Sequence, residues 1–307
     1  MTHALTSYLD ALAAADPSRV PWAADAVITE NNVDLPIGDG AWQTVDGIDR
    51  VDLRLSDSGG GDESSGGGES SGGGDGGLDG AHEAAALGIL REGTDWSPFF
   101  QRIAVDAQGR VRESELVVIR AKDAAGAFHD ADLAPRPEFA EPVPVDRRGD
   151  RESLIALVDG YFATLQQNTG EIHTRLAPQC RRRENGVWTT QNTDPNAFPT
   201  MRMDCQASFE LGFFRGNERV RGRRYPIVDV ENGLVLAGAF IDHSGRLKEY
   251  TLTDGRTIPA GFQRPHTYAM LEAFKIVGGE ITAIEAVFHP VPYRMRAAWP
   301  TVDGDGR

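Results

Sequence analysis

Carboxylates set among apolar strand residues are the groups in this sequence best suited to chemistry. Glu184, in Arg183-Glu184-Asn185-Gly186, and Asp242, after the apolar run from Leu234 to Ile241, are both candidates for a general base. Apolar walls raise the pKa of a carboxylate, which fits it to take a proton from a carbon beside a carbonyl. Tyr161 or Tyr293 would donate a hydrogen bond to the developing oxyanion, with Arg183 as anion stabiliser. Each candidate also has a structural reading. Asp242-His243-Ser244-Gly245 has the composition of a turn, and Glu184 can pair with Arg183 or Arg224 to fix the entry to a strand. Glu30-Asn31 repeats the Glu184-Asn185 pair. The repetition favours structure, since two pockets rarely need the same catalyst.

Substrate-binding candidates surround these groups: Asn185, Trp188, His243, Glu272, Phe214 and Tyr268. Strand alternation puts Glu272 on one face with Phe274 and Ile276, leaving Lys275 on the other. A carboxylate on a core-facing side is a functional candidate in its own right. Trp188, Phe209, Phe213, Phe214 and Tyr268 suit an aromatic pocket and a packed core equally well. Glu285 has a counterpart in Glu115 and reads as structural, and His266 and His289, each beside a proline, read as loop or edge residues. The sequence holds no Gly-x-x-x-x-Gly-Lys loop, no Gly-x-Ser-x-Gly elbow and no His-Glu-x-x-His helix, so no cofactor is expected. Cys180 and Cys205 lack zinc-ligand spacing. They read as reduced buried thiols, or as a disulfide if both flank one pocket.

These residues sit on a chain that repeats itself. An amphipathic helix from Leu5 to Ala14 contains Tyr8, and another from Ser153 to Gln166 contains Tyr161. Glu30-Asn31 follows the first helix and Glu184-Asn185 the second, with Trp42 and Trp188 further on. Gly109 to Glu115 matches Gly279 to Glu285 at a constant offset, each in a closing hairpin. Four landmarks in the same order indicate a tandem duplication. Residues 58–80, almost wholly Gly, Ser, Asp and Glu, are too poor in apolar groups to order themselves. They read as the expanded turn of a hairpin whose strands include Val51-Leu55 and Ala84-Leu90. Pro135, Pro137, Pro142 and Pro144 mark a stiff, extended linker over residues 129–150. The expected division is 1–128, linker, 151–300 and a tail over 301–307.

A helix, a Glu-Asn segment and strands ending in Ile276-Val277-Gly278-Gly279-Glu280-Ile281-Thr282-Ala283-Ile284-Glu285 resemble the nuclear transport factor 2-like superfamily, which includes SnoaL-type cyclases and ketosteroid isomerases. The elements Thr29-Glu30-Asn31, Arg183-Glu184-Asn185-Gly186, Arg223-Arg224-Tyr225-Pro226 and Val291-Pro292-Tyr293 narrow this to a largely uncharacterised family of tandem SnoaL-like proteins. The resemblance implies an α+β fold of two cone domains packed as a pseudo-dimer, each with N-terminal helices on a curved antiparallel sheet. It also implies a cofactor-free isomerase or lyase acting on a hydrophobic carbonyl- or hydroxyl-bearing small molecule. The second half is the expected active unit. The competing reading is a non-catalytic small-molecule-binding or scaffold protein.

Composition limits the alternatives. Of 307 residues, 31 are Lys or Arg and 46 Asp or Glu, a net charge of −15 that argues against an extended nucleic-acid surface. Residues 1–150 hold 12 basic against 28 acidic side chains and residues 151–307 hold 19 against 18. The arginines at 181–183, 219, 221, 223 and 224 are therefore expected to pair with carboxylates of the acidic half rather than bind nucleic acid. No apolar run approaches the ~18 residues of a membrane helix, and the N-terminus does not read as a secretory signal. A cytoplasmic protein, monomeric as an internal pseudo-dimer or homodimeric, is the expectation.

Overall fold

The computed structural model describes residues 2–57, 82–123, 129–131 and 134–304. The Gly-rich stretch 58–80 lies outside the described residues. The fold is α+β, with two six-stranded sheets in tandem and few helices. In the first half, α1 (Thr2–Ala13) precedes β1 (Trp22–Glu30), β2 (Val33–Asp34) and the short α2 (Ala41–Thr44). Then follow β3 (Gly47–Ser56), β4 (His82–Glu92), β5 (Asp95–Val105) and β6 (Val111–Val118). The second half opens with α3 (Arg151–Gln167), β7 (Leu176–Glu184), β8 (Val187–Trp188) and α4 (Cys205–Glu210). It continues with β9 (Arg219–Asp229) and β10 (Leu234–His243), a small hairpin of β11 (Glu249–Thr251) and β12 (Thr257–Pro259), then β13 (His266–Val277) and β14 (Glu280–Val291).

The strand orders are β2-β1-β6-β5-β4-β3 and β8-β7-β14-β13-β10-β9, so the two halves share one topology. The sheets are mixed, a correction to the antiparallel expectation: β1 runs parallel to β6, and β7 parallel to β14. In each half the chain passes through all the intervening strands before the closing strand returns beside the first, a connection long enough for parallel pairing. Strands β3 and β4 pair antiparallel, as expected of strands flanking an expanded turn.

Alternation along the strands gives each sheet two buried faces. One face of the first sheet closes on α1 with Leu5, Tyr8, Leu12, Trp42, Phe99 and Ile103. The same face of the second closes on α3 with Val158, Tyr161, Phe162, Phe274 and Ile284. The opposite faces meet each other: Leu53, Leu87, Phe100 and Val117 pack with Ile227, Leu236, Leu271 and Val287. Burying a large apolar side chain in such a seam contributes roughly 1.5–3 kcal/mol, so the halves are joined by a core and not by a tether.

The segment expected to be an extended linker is part of that core. Arg136, Phe139 and Val143 are buried, and Phe139 joins the seam itself. Its last residue, Asp150, caps α3 by accepting a hydrogen bond from the Ser153 amide at 2.8 Å. After each sheet the chain crosses to the other half. The Asp130 amide bonds to the Asn185 carbonyl at 2.9 Å, and the Ala298 amide to Asn32 Oδ1 at 2.8 Å.

Candidate functional site

Register decides which side chains lie between the second sheet and α3. Ile284 faces α3, and its partner on β7 is Arg182; Glu285 faces the seam, and its partner is Arg183. The middle arginine of the triplet therefore points inward. Arg182 is 2% exposed. Its Nη1 donates to the Tyr161 hydroxyl at 3.2 Å, its Nε to Thr189 Oγ1 at 3.0 Å, and its guanidinium lies 3.5 Å from Glu184 Oε2. The Tyr161 hydroxyl in turn donates to Glu272 Oε1 at 3.3 Å, while Glu272 Oε2 is buried with no hydrogen-bond partner. Glu272 is fully buried.

Electrostatics follows from this burial. Desolvation, helped by the nearby Glu184 charge, raises the Glu272 carboxyl well above the usual range and so favours its protonated form. Desolvation likewise raises Tyr161 well above an ordinary phenol. Burial opposes the charge on Arg182, but Glu184 and Tyr161 outweigh it and hold the guanidinium protonated. The centre thus contains one fixed cation, a neutral phenol and a carboxyl group whose protonated form burial favours. These can bind and polarise an oxygen that gains negative charge. Glu184, with its side chain 18% exposed, lies at the wetter side of the group.

Aromatic rings close the centre. Tyr161 meets Phe209 of α4 edge-on at 5.5 Å and Phe274 at 5.0 Å, and Arg182 stacks over Phe214 at 4.9 Å. Further along the same face, Tyr268 packs on Phe288 at 4.6 Å and His243 at 5.3 Å. His243, stacked at 4.7 Å on His266, is lowered to about 4 by burial and by that second imidazole. Tyr268 is pushed up to about 12, chiefly by burial.

The candidates named from sequence divide cleanly. Tyr161, Glu184, Glu272, Phe214, Tyr268 and His243 share the inner face. Arg183 does not: it faces the seam, where its Nε binds Glu285 at 2.9 Å and its Nη1 the Ala134 carbonyl at 2.7 Å. Trp188 lies on that side too, with Arg183 5.3 Å and Arg136 4.9 Å from its ring. Asp242 neither faces the Arg182 centre nor sits in a turn. Strand β10 runs two residues past Ile241, and Asp242 holds Arg221 through both oxygens, at 2.8 and 3.1 Å, and accepts from Thr267 Oγ1 at 2.6 Å. Tyr293 lies beyond β14 near the surface, donating to Glu218 Oε2 at 2.6 Å. Asn185 is a backbone clamp, accepting from the Phe288 amide at 2.8 Å and donating to its carbonyl at 3.1 Å. The arginine expectation is corrected in part: Arg224 does reach across to Glu115. By contrast Arg182, Arg183, Arg221 and Arg223 pair with Glu184, Glu285, Asp242 and Asp159 of their own half.

Arg182 was not among the sequence candidates. The signal lay in alternation through Arg181-Arg182-Arg183, which puts the middle residue opposite its neighbours. Residues 147–288 match a family model described as a domain of unknown function (DUF8021), a span holding every member of the inner-face group. No curated protein matches the chain.

Proposed function

We propose that each half is a nuclear transport factor 2-like cone, and that the second is a cofactor-free SnoaL-like enzyme. Its reaction is proton abstraction and return — isomerisation, dehydration or cyclisation — on a hydrophobic small molecule bearing a carbonyl or hydroxyl. The observation that carries this reading is Glu272: a fully buried acid with one oxygen unpartnered, beside a tyrosine hydroxyl and an arginine. Glu272 and Tyr161 would donate to the substrate oxygen, Arg182 would stabilise the charge it gains, and Glu184 would take and return the proton. The shared strand order and the helix laid on each sheet support the cone identity.

Substituted 2-naphthols, flat and apolar with an oxygen that becomes an anion, are suitable probes of this centre. The full chain is expected to bind them in proportion to naphthol acidity. Glu272→Gln or Tyr161→Phe should weaken binding roughly tenfold or more, about 1.4 kcal/mol each. Affinity unchanged in the double variant, by titration calorimetry, would sink the assignment. The aromatic seal over the centre favours the second reading, a non-catalytic binding or scaffold protein. Under that reading the naphthols bind without any dependence on their acidity.

A further inference from the structure

Cys180 and Cys205 stand 25 residues apart in sequence and meet in space. Each is 1% exposed, and their Sγ atoms lie 2.7 Å apart. Cys205 Sγ also donates to the Cys180 carbonyl at 3.1 Å, so both side chains point along one line of approach. Cys180 lies on β7 two residues before Arg182. Cys205 is the first residue of α4, which is anchored by Asp204 accepting from the Ala207 amide at 2.7 Å. Phe209, the ring that closes over Tyr161, rides on the same short helix.

We infer that Cys180 and Cys205 are a redox pair whose disulfide fastens the α4 cap to β7 over the polar centre, and whose reduction frees the cap. The pairing stands on the sulfur geometry alone; its meaning as a gate rests on the function proposed above. The oxidant is hydrogen peroxide, small enough to reach a buried sulfur. The Cys205 thiolate attacks one peroxide oxygen, the O–O bond breaks, and hydroxide leaves as Cys205 becomes a sulfenic acid. Cys180 sulfur then attacks Cys205 sulfur, the S–O bond breaks, and the Cys180 proton leaves with the departing hydroxide as water. The proton released by Cys205 neutralises the first hydroxide, so in sum two thiols lose two protons and two electrons, and one peroxide becomes two waters. A dithiol reverses the reaction by exchange. Local charges order the steps: the hydrogen bond shared with Cys180 and the Arg182 guanidinium lower Cys205, whereas Cys205 and burial raise Cys180.

The test uses the full chain, reduced with dithiothreitol and titrated with hydrogen peroxide. Intact mass and peptide mapping should show a monomer that has lost two hydrogens, with the Cys180 and Cys205 peptides joined. Amide exchange over residues 205–214 should slow at least tenfold on oxidation, and the melting temperature should rise by roughly 5–10 °C. In Cys205→Ser neither change should occur, and exchange should stay at the reduced rate. Two thiols that persist, or that end as sulfinic acids or intermolecular links, overturn the pairing. A joined pair with unchanged exchange overturns the clamp. If the clamp forms but naphthols bind neither form, the enzyme reading falls and the clamp stands; if they bind both forms equally, the gate falls.

Discussion

The two halves have the same frame and different centres. In register, Tyr8 corresponds to Tyr161, Glu30 to Glu184, Asn31 to Asn185 and Glu115 to Glu285. Inside the frame the residues diverge. Ile28 stands where the second half has Arg182, Gln101 where it has Glu272, and Ser114 where it has Ile284. The Tyr8 hydroxyl accordingly meets Ser114 Oγ at 2.7 Å, and Gln101 Nε2 donates to the same oxygen at 3.1 Å, with no charge among them. Trp22 and Trp42 pack edge-on to Tyr8, and the cavity lined by Tyr8, Trp42, Gln101 and Ser114 among others holds about 10 Å³, room for a single water. Glu30 is engaged by Arg120 at 2.8 Å and by the Ala41 amide at 2.7 Å. Residues kept in both halves hold the sheet together. Those that differ place a cation and an acid at the centre of one half alone.

If that division is right, the kept residues should be costly to remove from either half. Glu285 is buried between Arg183 and Arg136, and Glu115 between Arg102 and Arg224. Glu285→Ala removes the carboxylate shared by Arg183 and Arg136, and Glu115→Ala removes the partner of Arg224 across the seam, while Arg102 keeps Glu83 at 3.0 Å and Glu113 at 2.7 Å. Each should lower stability by about 3–5 kcal/mol in chemical denaturation. A small effect in one half and a large one in the other would break the equivalence.

The asparagines come next in size. Asn31 and Asn185 both adopt positive φ, 49° and 48°, and both clamp the closing strand, Asn31 by accepting from the Val118 amide at 2.9 Å. Alanine loses the clamp and is strained in the left-handed region, so Asn31→Ala and Asn185→Ala should each cost about 2–3 kcal/mol. Glycine, which accepts the backbone but not the hydrogen bond, should recover part of the loss in both. Unequal recovery would show that one of the two turns is held by something other than its asparagine.

The duplicated frame was legible because its marks are local. A tyrosine in a helix, a Glu-Asn turn and a Gly-rich hairpin can each be recognised within ten residues. The centre was legible only in part. Glu272 followed from simple alternation, since β13 runs unbroken from His266 to its last few residues. Arg182 and Arg183 could not be assigned to faces with the same ease, because the β7–β14 register shifts between Ile281 and Ala283. A bulge reverses the count of faces beyond it. Asp242 was misread because turn-forming Ser244-Gly245 follows directly, though the strand still pairs through His243. The closeness of Cys180 and Cys205 depends on how residues 189–204 fold back, with short turns and no periodic pattern to read.

The finest comparison exchanges the residues that differ. Burial raises the folded pKa of Glu272, so the native state keeps a proton where the unfolded chain, at about 4.3, has released it. The stability associated with this site is therefore full below that unfolded value and declines as pH rises toward the folded one. At its steepest the decline is about 1.4 kcal/mol per pH unit, the limit for one proton. Glutamine does not titrate, and Gln101 shows that the frame accepts an amide at this position. Glu272→Gln should match the parent chain near pH 4 and become progressively more stable than it from pH 5 upward. Gln101→Glu should do the reverse, adding to the first half the pH dependence that Glu272 gives the second. Urea melts at intervals from pH 4 to 8 measure both slopes. Parallel curves for the parent and Glu272→Gln would mean that Glu272 ionises as freely as in the unfolded chain. Its surroundings would then be wet, and the contrast between the two centres would reduce to packing.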